Sequence, residues 1–560
     1  MSDTENILLA AVNSQFIHSN TAVYYLRQIL IQNSIEADVK SFSINDDKHD
    51  ILSEILESKP RVVCFSCYIW NISYVYDLCK ALRRIDKNIK IILGGPEVTY
   101  EPAEAFKQSG ADLIVLGEGE SVIVSAVLAM LNDDLPNCIG CYYKSDENII
   151  NTGIAVTSEL GDIPTPFTDF MMGKENNKLI YYEASRGCPF NCIYCLSSAT
   201  TGVRYFPLER IFSDLNTILR YSPKVIKFTD RSFNANQVRT LEILGFLKNV
   251  KTETCFHLEI FPAGLTDKVM ETLAIMPKGR VQLEAGIQSV NPITLEASGR
   301  IQDTIKAISN MKQLMVNENM HIHLDLIAGL PFEGLESFEN SFNKTIDAKP
   351  HVLQVGFLKL LKGTTARNIE GYEYEESPPY EVLVNTWLTF SELSEIKQIE
   401  KLIDLFYNTG RFRTYLTYMH EKVGNPYRVY KELALYLDEN NFSLKGISRK
   451  NKYAALAGFA DENSVAIEHL RYDYMTSYSS KDIPEFLGET FSKEMVFEHL
   501  KNDSNVREVF EEQDITSPKK LYKVCNISRF NYGKESVVFF FNYSYRDKVT
   551  DLYSAIPIQI

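Results

Sequence analysis

The sequence predicts an α/β chain in three successive parts: a doubly wound parallel sheet, a six-unit partial (β/α)6 barrel, and a mostly helical C-terminal domain. Three observations carry this prediction. Short apolar runs alternate with helical patterns up to about residue 135. The alternation restarts at residue 179 and runs through six strand candidates before 362. From 363 to 560 the apolar spacing becomes mostly helical.

In the first part, "ILLAAV", "ADVKSFS", "RVVCFS", "KIILGG" and "DLIVLG" read as strands. Near-continuous apolar strands with helical stretches such as "NTAVYYLRQILIQ" between them mark a parallel sheet covered on both faces. Such sheets bind ligands beyond the C-terminal ends of their strands, which here carry "NSQFIHSN", "SCYIWN", "GGPEVTY" and "GEGES". No G-x-G-x-x-G follows the first strand, which disfavours a dinucleotide. Residues 136–178 read as a linker, with a hairpin in "CIGCYYKSDENIINTG" and a Pro-rich crossing in "GDIPTPFTDF". The barrel strands are "LIYYEAS", "VIKFTD", "CFHLEI", "VQLEAGIQS", "HIHLDLIAGL" and "VLQVGFLKLL", and the active site of such a barrel lies at their C-terminal ends. The tail "KLYKVCNISRFNYGKESVVFFFNYSY" reads as a hairpin around "NYGKE".

The chain has 560 residues, 45% apolar and 23% charged, with a net charge of -15. The acidic balance lacks the footprint of a nucleic-acid binder. No apolar run reaches the roughly 18 residues of a membrane span, and "MSDTENILLAAV" has no basic segment before its apolar stretch. A cytoplasmic protein is expected. Ten cysteines in a reducing compartment point to ligands or core residues rather than disulfides.

Three of these cysteines, Cys188, Cys192 and Cys195, lie in "RGCPFNCIYC" at C-x3-C-x2-C spacing, directly after the first barrel strand. Thiolates select zinc, copper(I) or iron–sulfur clusters. A structural zinc wants four closed ligands, so a zinc completed by a distant Cys or His is the competing reading. Three thiolates without a local fourth suit a [4Fe–4S] cluster with one iron open to a substrate or cofactor.

This motif resembles that of the radical S-adenosylmethionine (radical SAM) superfamily. The resemblance covers roughly 179–362. It implies that S-adenosylmethionine chelates the open iron and is cleaved by one electron to a 5′-deoxyadenosyl radical. Tyr194 takes the aromatic position that packs near adenine. Glu259, Gln288, Arg300 and Asp325 match the coproporphyrinogen-oxidase-like branch, with gaps of twelve residues from Gln288 to Arg300 and twenty-five to Asp325. By that likeness Glu259 and Arg300 hold the amino-acid end of S-adenosylmethionine, and Gln288 and Asp325 its methionine or ribose side. Carboxylate with ammonium and Arg with carboxylate are sound charge-assisted pairs, although rim salt bridges populate such positions too. Asp230 in "FTDRSFN" ends the second strand, where the superfamily often has a polar cofactor motif; no "GGE" stands there.

The N-terminal sheet resembles the cobalamin-binding domain of B12-dependent radical SAM proteins, the likeness resting on "GGPEVT" and "GEGES". It implies a cobalamin crevice formed by Asn13, Gln15, Ser66, Gly94, Gly95, Thr99, Gly117, Glu118 and Gly119, with glycines admitting close backbone approach. The D-x-H-x-x-G motif that supplies a cobalt-ligating histidine is absent, and Gln15 stands at the His position. An unliganded domain is the competing reading.

Other features read more plainly. Cys64, Cys67 and Cys79 are badly spaced for a second cluster, and they and the pair Cys138 and Cys141 are expected in core or loop. His321 and His323 share a strand face, as pocket lining or ordinary strand residues. Gly363 and Thr364 resemble a "GT" element near the family's cofactor, or a plain turn. The expected function is a B12-dependent radical SAM enzyme acting on a small molecule, with a flavodoxin or ferredoxin as reductant. Methyl transfer is favoured over radical cyclisation or rearrangement, tRNA methylthiolation, and a non-catalytic cobalamin- or iron-responsive role. The C-terminal domain resembles one of unknown function that accompanies such proteins.

Overall fold

The computed structural model describes residues 6–558 apart from 201, 462, 505, 507 and 509–516. The N-terminal sheet holds five parallel strands, β1 (Ile7–Asn13), β2 (Ala37–Ser43), β3 (Val62–Ser66), β4 (Lys90–Gly94) and β5 (Leu113–Val115), in the order 2-1-3-4-5. All seven residues of β1 are buried, which explains its unbroken apolar run. Alternate residues serve two cores. Ile7, Leu9 and Ala11 pack with the helices Thr21–Gln32 and Ile123–Asn132, while Leu8, Ala10 and Val12 pack with Lys48–Glu57 and Ile72–Ile85.

The hairpin expected within the linker belongs to this sheet. Its strands β6 (Cys141–Ser145) and β7 (Asn148–Asn151) add antiparallel to β5, with Leu113 opposite Tyr143. Burial of Cys141, Tyr142 and Tyr143 drives the addition. The crossing segment is packed too: Phe167, Met171 and Met172 lie in the core shared with the barrel.

The barrel opens with β8 (Ile180–Tyr182). A small hairpin, β9 (Ser185–Cys188) and β10 (Gly202–Tyr205), follows it. Five more parallel strands complete the sheet: β11 (Val225–Phe228), β12 (Cys255–Ile260), β13 (Val281–Gln288), β14 (His321–Ala328) and β15 (Val352–Phe357). Their order is 15-14-13-12-11-8, all six expected strands, with β15 and β8 at its two ends. Strict alternation along β13 and β14 buries Leu283, Ala285, Ile322 and Leu324 outward. The other face carries Gln282, Glu284, Gln288, His321, His323 and Asp325, none of them fully buried. A barrel lumen is ordinarily filled by branched aliphatic layers; this one is polar.

The C-terminal region contains the helices Phe390–Leu402, Arg413–Val423, Pro426–Glu439, Arg449–Phe459 and Ser464–Ser477. A short hairpin, β16 (Tyr372–Tyr374) and β17 (Val382–Asn385), precedes them. The hairpin expected around "NYGKE" forms as β18 (Cys525–Tyr532) and β19 (Glu535–Arg546), and β20 (Tyr553–Ile558) joins it as a third strand. Ion pairs Lys278–Asp547 and Lys548–Glu253 fasten this sheet beneath the barrel.

Candidate active site

The C-terminal ends of the two sheets face each other across one cleft with two adjoining cavities. The first, about 490 Å³, reaches between β1, β3, β4 and β5. The second, about 610 Å³, lies between the N-terminal strand ends and the barrel mouth. Tyr68, Glu183, Arg186, Leu196 and Arg231 border both. Of the expected crevice residues, Ser66, Gly94, Gly95, Thr99, Gly117, Glu118 and Gly119 line the first cavity and Asn13 the second. Gln15 borders neither: it stands exposed at the tip of the loop after β1, with Phe16 and Ile17 exposed beside it.

The glycines are not all there for a ligand. Gly117 has φ +89°, and a Cβ there would stand 2.3 Å from the Ala155 carbonyl oxygen. Gly95 has φ +117°, and a Cβ would stand 2.5 Å from that of Cys67. Both are required by backbone packing. Gly94 meets only ordinary contact, at 3.5 Å from Val115. Gly117→Ala is therefore expected to lose about 1–3 kcal/mol of stability, whereas Gly94→Ala is nearly neutral; chemical denaturation of the two variants checks this. Glu118 is also committed. It receives Thr157 N–H at 2.9 Å and pairs with Arg204 and Arg186. Burial opposes its ionisation, but the hydrogen bond from Arg204 and the charge of Arg186 hold its acid below the usual range.

The cysteine loop hangs from β9. Gly187, at φ +91°, passes so close to Gly202 that a Cβ would stand 2.2 Å from its carbonyl oxygen. Three backbone bonds brace the loop: Cys195 N–H to Cys192, Ile193 N–H to Ser298, and Ala366 N–H to Ile193. Gly299 presses on Asn191, where a Cβ would be 2.5 Å from the carbonyl oxygen. Cys192 is buried, and Cys188 and Cys195 are partly exposed. Burial pushes the Cys192 thiol up, against the lowering effect of Arg300, whose Nη1 is 4.0 Å from Sγ, and of the neighbouring Tyr194. Cys188 Sγ lies 3.6 Å from Ser232 Oγ.

The expected ligand-binding side chains meet at the barrel mouth, with one exception. Arg300 Nη2 donates to the Gly286 carbonyl at 2.6 Å and to Gln302 Oε1 at 3.0 Å. A register shift between Gly286 and Gln288 bends β13 here, and Gln288 has φ +67°. Gln288 Oε1, Arg300 Nε and Asp325 Oδ1 are buried without a hydrogen-bond partner, so the mouth holds polar atoms that await a ligand. Glu259 lies 3.7 Å from Lys227 and 3.6 Å from Arg231. Asp230 is the exception. It turns inward, accepting from Ala184 N–H at 3.0 Å and from the Ser185 hydroxyl. Burial pushes its acid up to about 6 against those hydrogen bonds. Its place is behind the start of β9, where it holds the stem of the cysteine loop.

Asp325 and Glu284 have opposite protonation. Glu284 is drawn down to about 2 despite burial, by His257 and by Lys227, whose Nζ is 2.9 Å away. Asp325 is pushed up to about 8 by burial and by the charges of Glu284 and Glu259. A carboxyl whose folded pKa exceeds its unfolded value of about 3.9 keeps a proton that the unfolded chain loses, so it lowers stability as pH rises. Asp325→Asn is expected to gain stability relative to the natural chain as pH rises from about 4 to about 8; equal slopes in paired denaturation curves would contradict this assignment.

Comparison with known families follows this division of the molecule. The model of the radical SAM superfamily matches residues 182–344, that of the B12 binding domain residues 7–127, and that of a protein of unknown function (DUF4080) residues 370–539. This chain belongs to the radical SAM superfamily. Within it, the chain falls in the subgroup that carries a B12-binding domain and this C-terminal domain. It is 26% identical over 57% of its length to the cobalamin-dependent radical SAM methyltransferase TokK of Streptomyces tokunonensis, and 27% identical over 53% to an uncharacterized methyltransferase, PH0819, of Pyrococcus horikoshii. The match spans 50% of TokK and 67% of PH0819. The fold resembles that of the cobalamin-dependent S-adenosylmethionine radical enzyme OxsB, with a TM-score of 0.61 at 14% identity, over 92% of this chain and 82% of OxsB.

The residues of this radical SAM protein fit the groups its family implies. Among the described residues no three His, Cys, Asp or Glu side chains close around a single metal ion. A cubane takes three thiolates on three separate irons, and Cys188, Cys192 and Cys195 sit on one loop braced by Ser298 and Ala366. Cys64, Cys67 and Cys79 are buried, and Cys138 and Cys141 face each other with sulfurs 3.6 Å apart. His321 and His323 lie on the polar lumen face, hydrogen-bonded to each other at 2.9 Å, and burial pushes them down to about 4 and about 3. The "GT" element has a packing role: a Cβ on Gly363 would strike the Tyr100 ring at 2.3 Å.

Sequence reasoning missed several site residues of this radical SAM protein. Arg186 is held by Glu118, Glu120 and Glu183, which ties the "GEGES" loop to the cysteine loop. Glu333, fully buried, accepts from Ser289 at 2.6 Å and Ser341 at 2.9 Å and so anchors the bend at Gln288; burial pushes its acid up to about 7. Lys227 and Arg231 also face the mouth. A charged residue beside each recognised motif was the available signal. Among the described residues no helix is long and apolar enough to cross a membrane.

Proposed function

We propose that this chain is a cobalamin-dependent radical SAM enzyme that activates an unreactive C–H bond of a small molecule and places a methyl group there. The observation that carries the reading is the shared cleft: the crevice of the N-terminal sheet and the barrel mouth open into each other, with the cysteine loop beside their junction. The likeness to the methyltransferases TokK and PH0819 supports the choice of outcome.

Cys188, Cys192 and Cys195 would hold the cluster, with the Gly299–Arg300 turn bracing their loop. Glu259, Gln288, Arg300 and Asp325 would bind S-adenosylmethionine. Ser66, Gly94, Thr99 and Gly119 would line the corrinoid crevice. When bound, these groups supply a carbon-centred radical and a methyl donor; the protein orients them and excludes water. Asp325, protonated at neutral pH, offers a hydroxyl donor where a second carboxylate beside Glu284 and Glu259 would be repelled. Arg186 sets how the crevice loop stands over the cysteine loop. A flavodoxin or ferredoxin would deliver electrons, and the compartment would be the cytoplasm.

The test is product analysis on anaerobically reconstituted protein with S-adenosylmethionine, cobalamin and a chemical reductant. Methyl transfer predicts both 5′-deoxyadenosine and S-adenosylhomocysteine. Deoxyadenosine alone would point to cyclisation or rearrangement, and neither product would end the radical SAM reading.

A further inference from the structure

Arg231 follows Asp230 beyond β11 and borders both cavities. Its side chain is 56% accessible, and among the described residues its one ionic contact is Glu259 Oε2 at 3.6 Å, too long for a hydrogen bond. The other cations of the cleft are committed: Arg186 to three carboxylates, Arg204 to Glu118, and Lys227 to Glu284. A guanidinium carries five N–H donors in a planar fork that matches a carboxylate or phosphate. Here that fork stands at the junction of the cavities with its donors unused. Across the second cavity lies an aromatic wall in which Tyr68 and Trp70 stack with ring centroids 4.4 Å apart.

We propose that Arg231 binds the carboxylate or phosphate of the reacting molecule, so that the substrate is a small anion held between the barrel mouth and the Tyr68–Trp70 wall. The inference rests on the reading that Glu259 takes the ammonium of S-adenosylmethionine. That ammonium replaces Arg231 as counter-ion of Glu259 and leaves the guanidinium free. The two ligands therefore assist each other: S-adenosylmethionine strengthens the anion site.

The experiment uses the full reconstituted chain carrying Trp387→Phe, so that fluorescence reports Trp70, the remaining tryptophan. The probes are benzoate, phenyl phosphate and neutral benzamide. At least one anion should bind about tenfold or more tightly than benzamide, as expected for charge-assisted hydrogen bonds, and which anion wins identifies the group. Arg231→Gln should abolish the preference, Arg231→Lys should keep part of it, and added S-adenosylmethionine should strengthen it. The proposal is overturned by no anion preference, by a preference that survives Arg231→Gln, or by competition between S-adenosylmethionine and the anion. It is equally overturned if Arg231→Gln weakens S-adenosylmethionine binding in equilibrium dialysis, because the guanidinium would then serve that ligand's own carboxylate. Failure of the natural chain to bind S-adenosylmethionine would instead strike the proposed function, since benzoate preference is read in its absence as well.

Discussion

Alanine at Cys188, Cys192 or Cys195 should reduce bound iron from about four per chain to below about one after anaerobic reconstitution, because each thiolate holds a separate iron of the cubane. The effect should be nearly equal at the three positions despite their different burial. Cys192 is buried beside Arg300 and Tyr194, while Cys188 and Cys195 are partly exposed. Cys255→Ala, on β12, is the matched control and should keep its iron. Loss of fold is a separate matter: the loop is braced by backbone bonds from Ile193 to Ser298 and from Ala366 to Ile193, which alanine leaves in place. Circular dichroism should therefore be unchanged. A natural chain loaded with zinc instead of iron, or a Cys192→Ala variant with full iron, would refute the assignment.

Glu259→Gln should weaken S-adenosylmethionine binding by about ten- to a hundredfold, the weight of a hydrogen bond to a charged group, about 1.5–3 kcal/mol. The carboxylate ends β12 with two cations at 3.7 and 3.6 Å, neither within hydrogen-bonding distance. It is thus held in place yet still open to a third partner. Removing its charge leaves Lys227 paired with Glu284, so the barrel should lose little stability. Equilibrium dialysis with labelled S-adenosylmethionine reads the affinity, and thermal denaturation reads the fold. Unchanged affinity would mean that Glu259 is only a rim ion pair.

The N-terminal sheet was legible because a strand buried on both faces must be apolar along its whole length, as β1 is, and the barrel strands because one face must be, as in β13 and β14. The cysteine triad was legible because three thiols in eight residues have few other uses. Asp230 was not, because a carboxylate at a strand end looks the same whether it faces the cleft or turns back to Ala184 and Ser185. Gly95 and Gly117 were legible as crevice glycines, but their backbone packing was not, because the segments they pass, at Cys67 and Ala155, are distant in sequence. The hairpin after residue 138 was recognised, but its place on the edge of β5 depends on a strand far from it in the chain.

By itself the sequence determined the order of the folds and the chemistry of the cysteine loop, since local periodicity and ligand spacing are properties of neighbouring residues. Only the tertiary structure decided which charges are already paired, which acid keeps its proton and which guanidinium is left for a ligand. Those depend on burial and on partners that folding brings together from distant parts of the chain, and no local pattern records them.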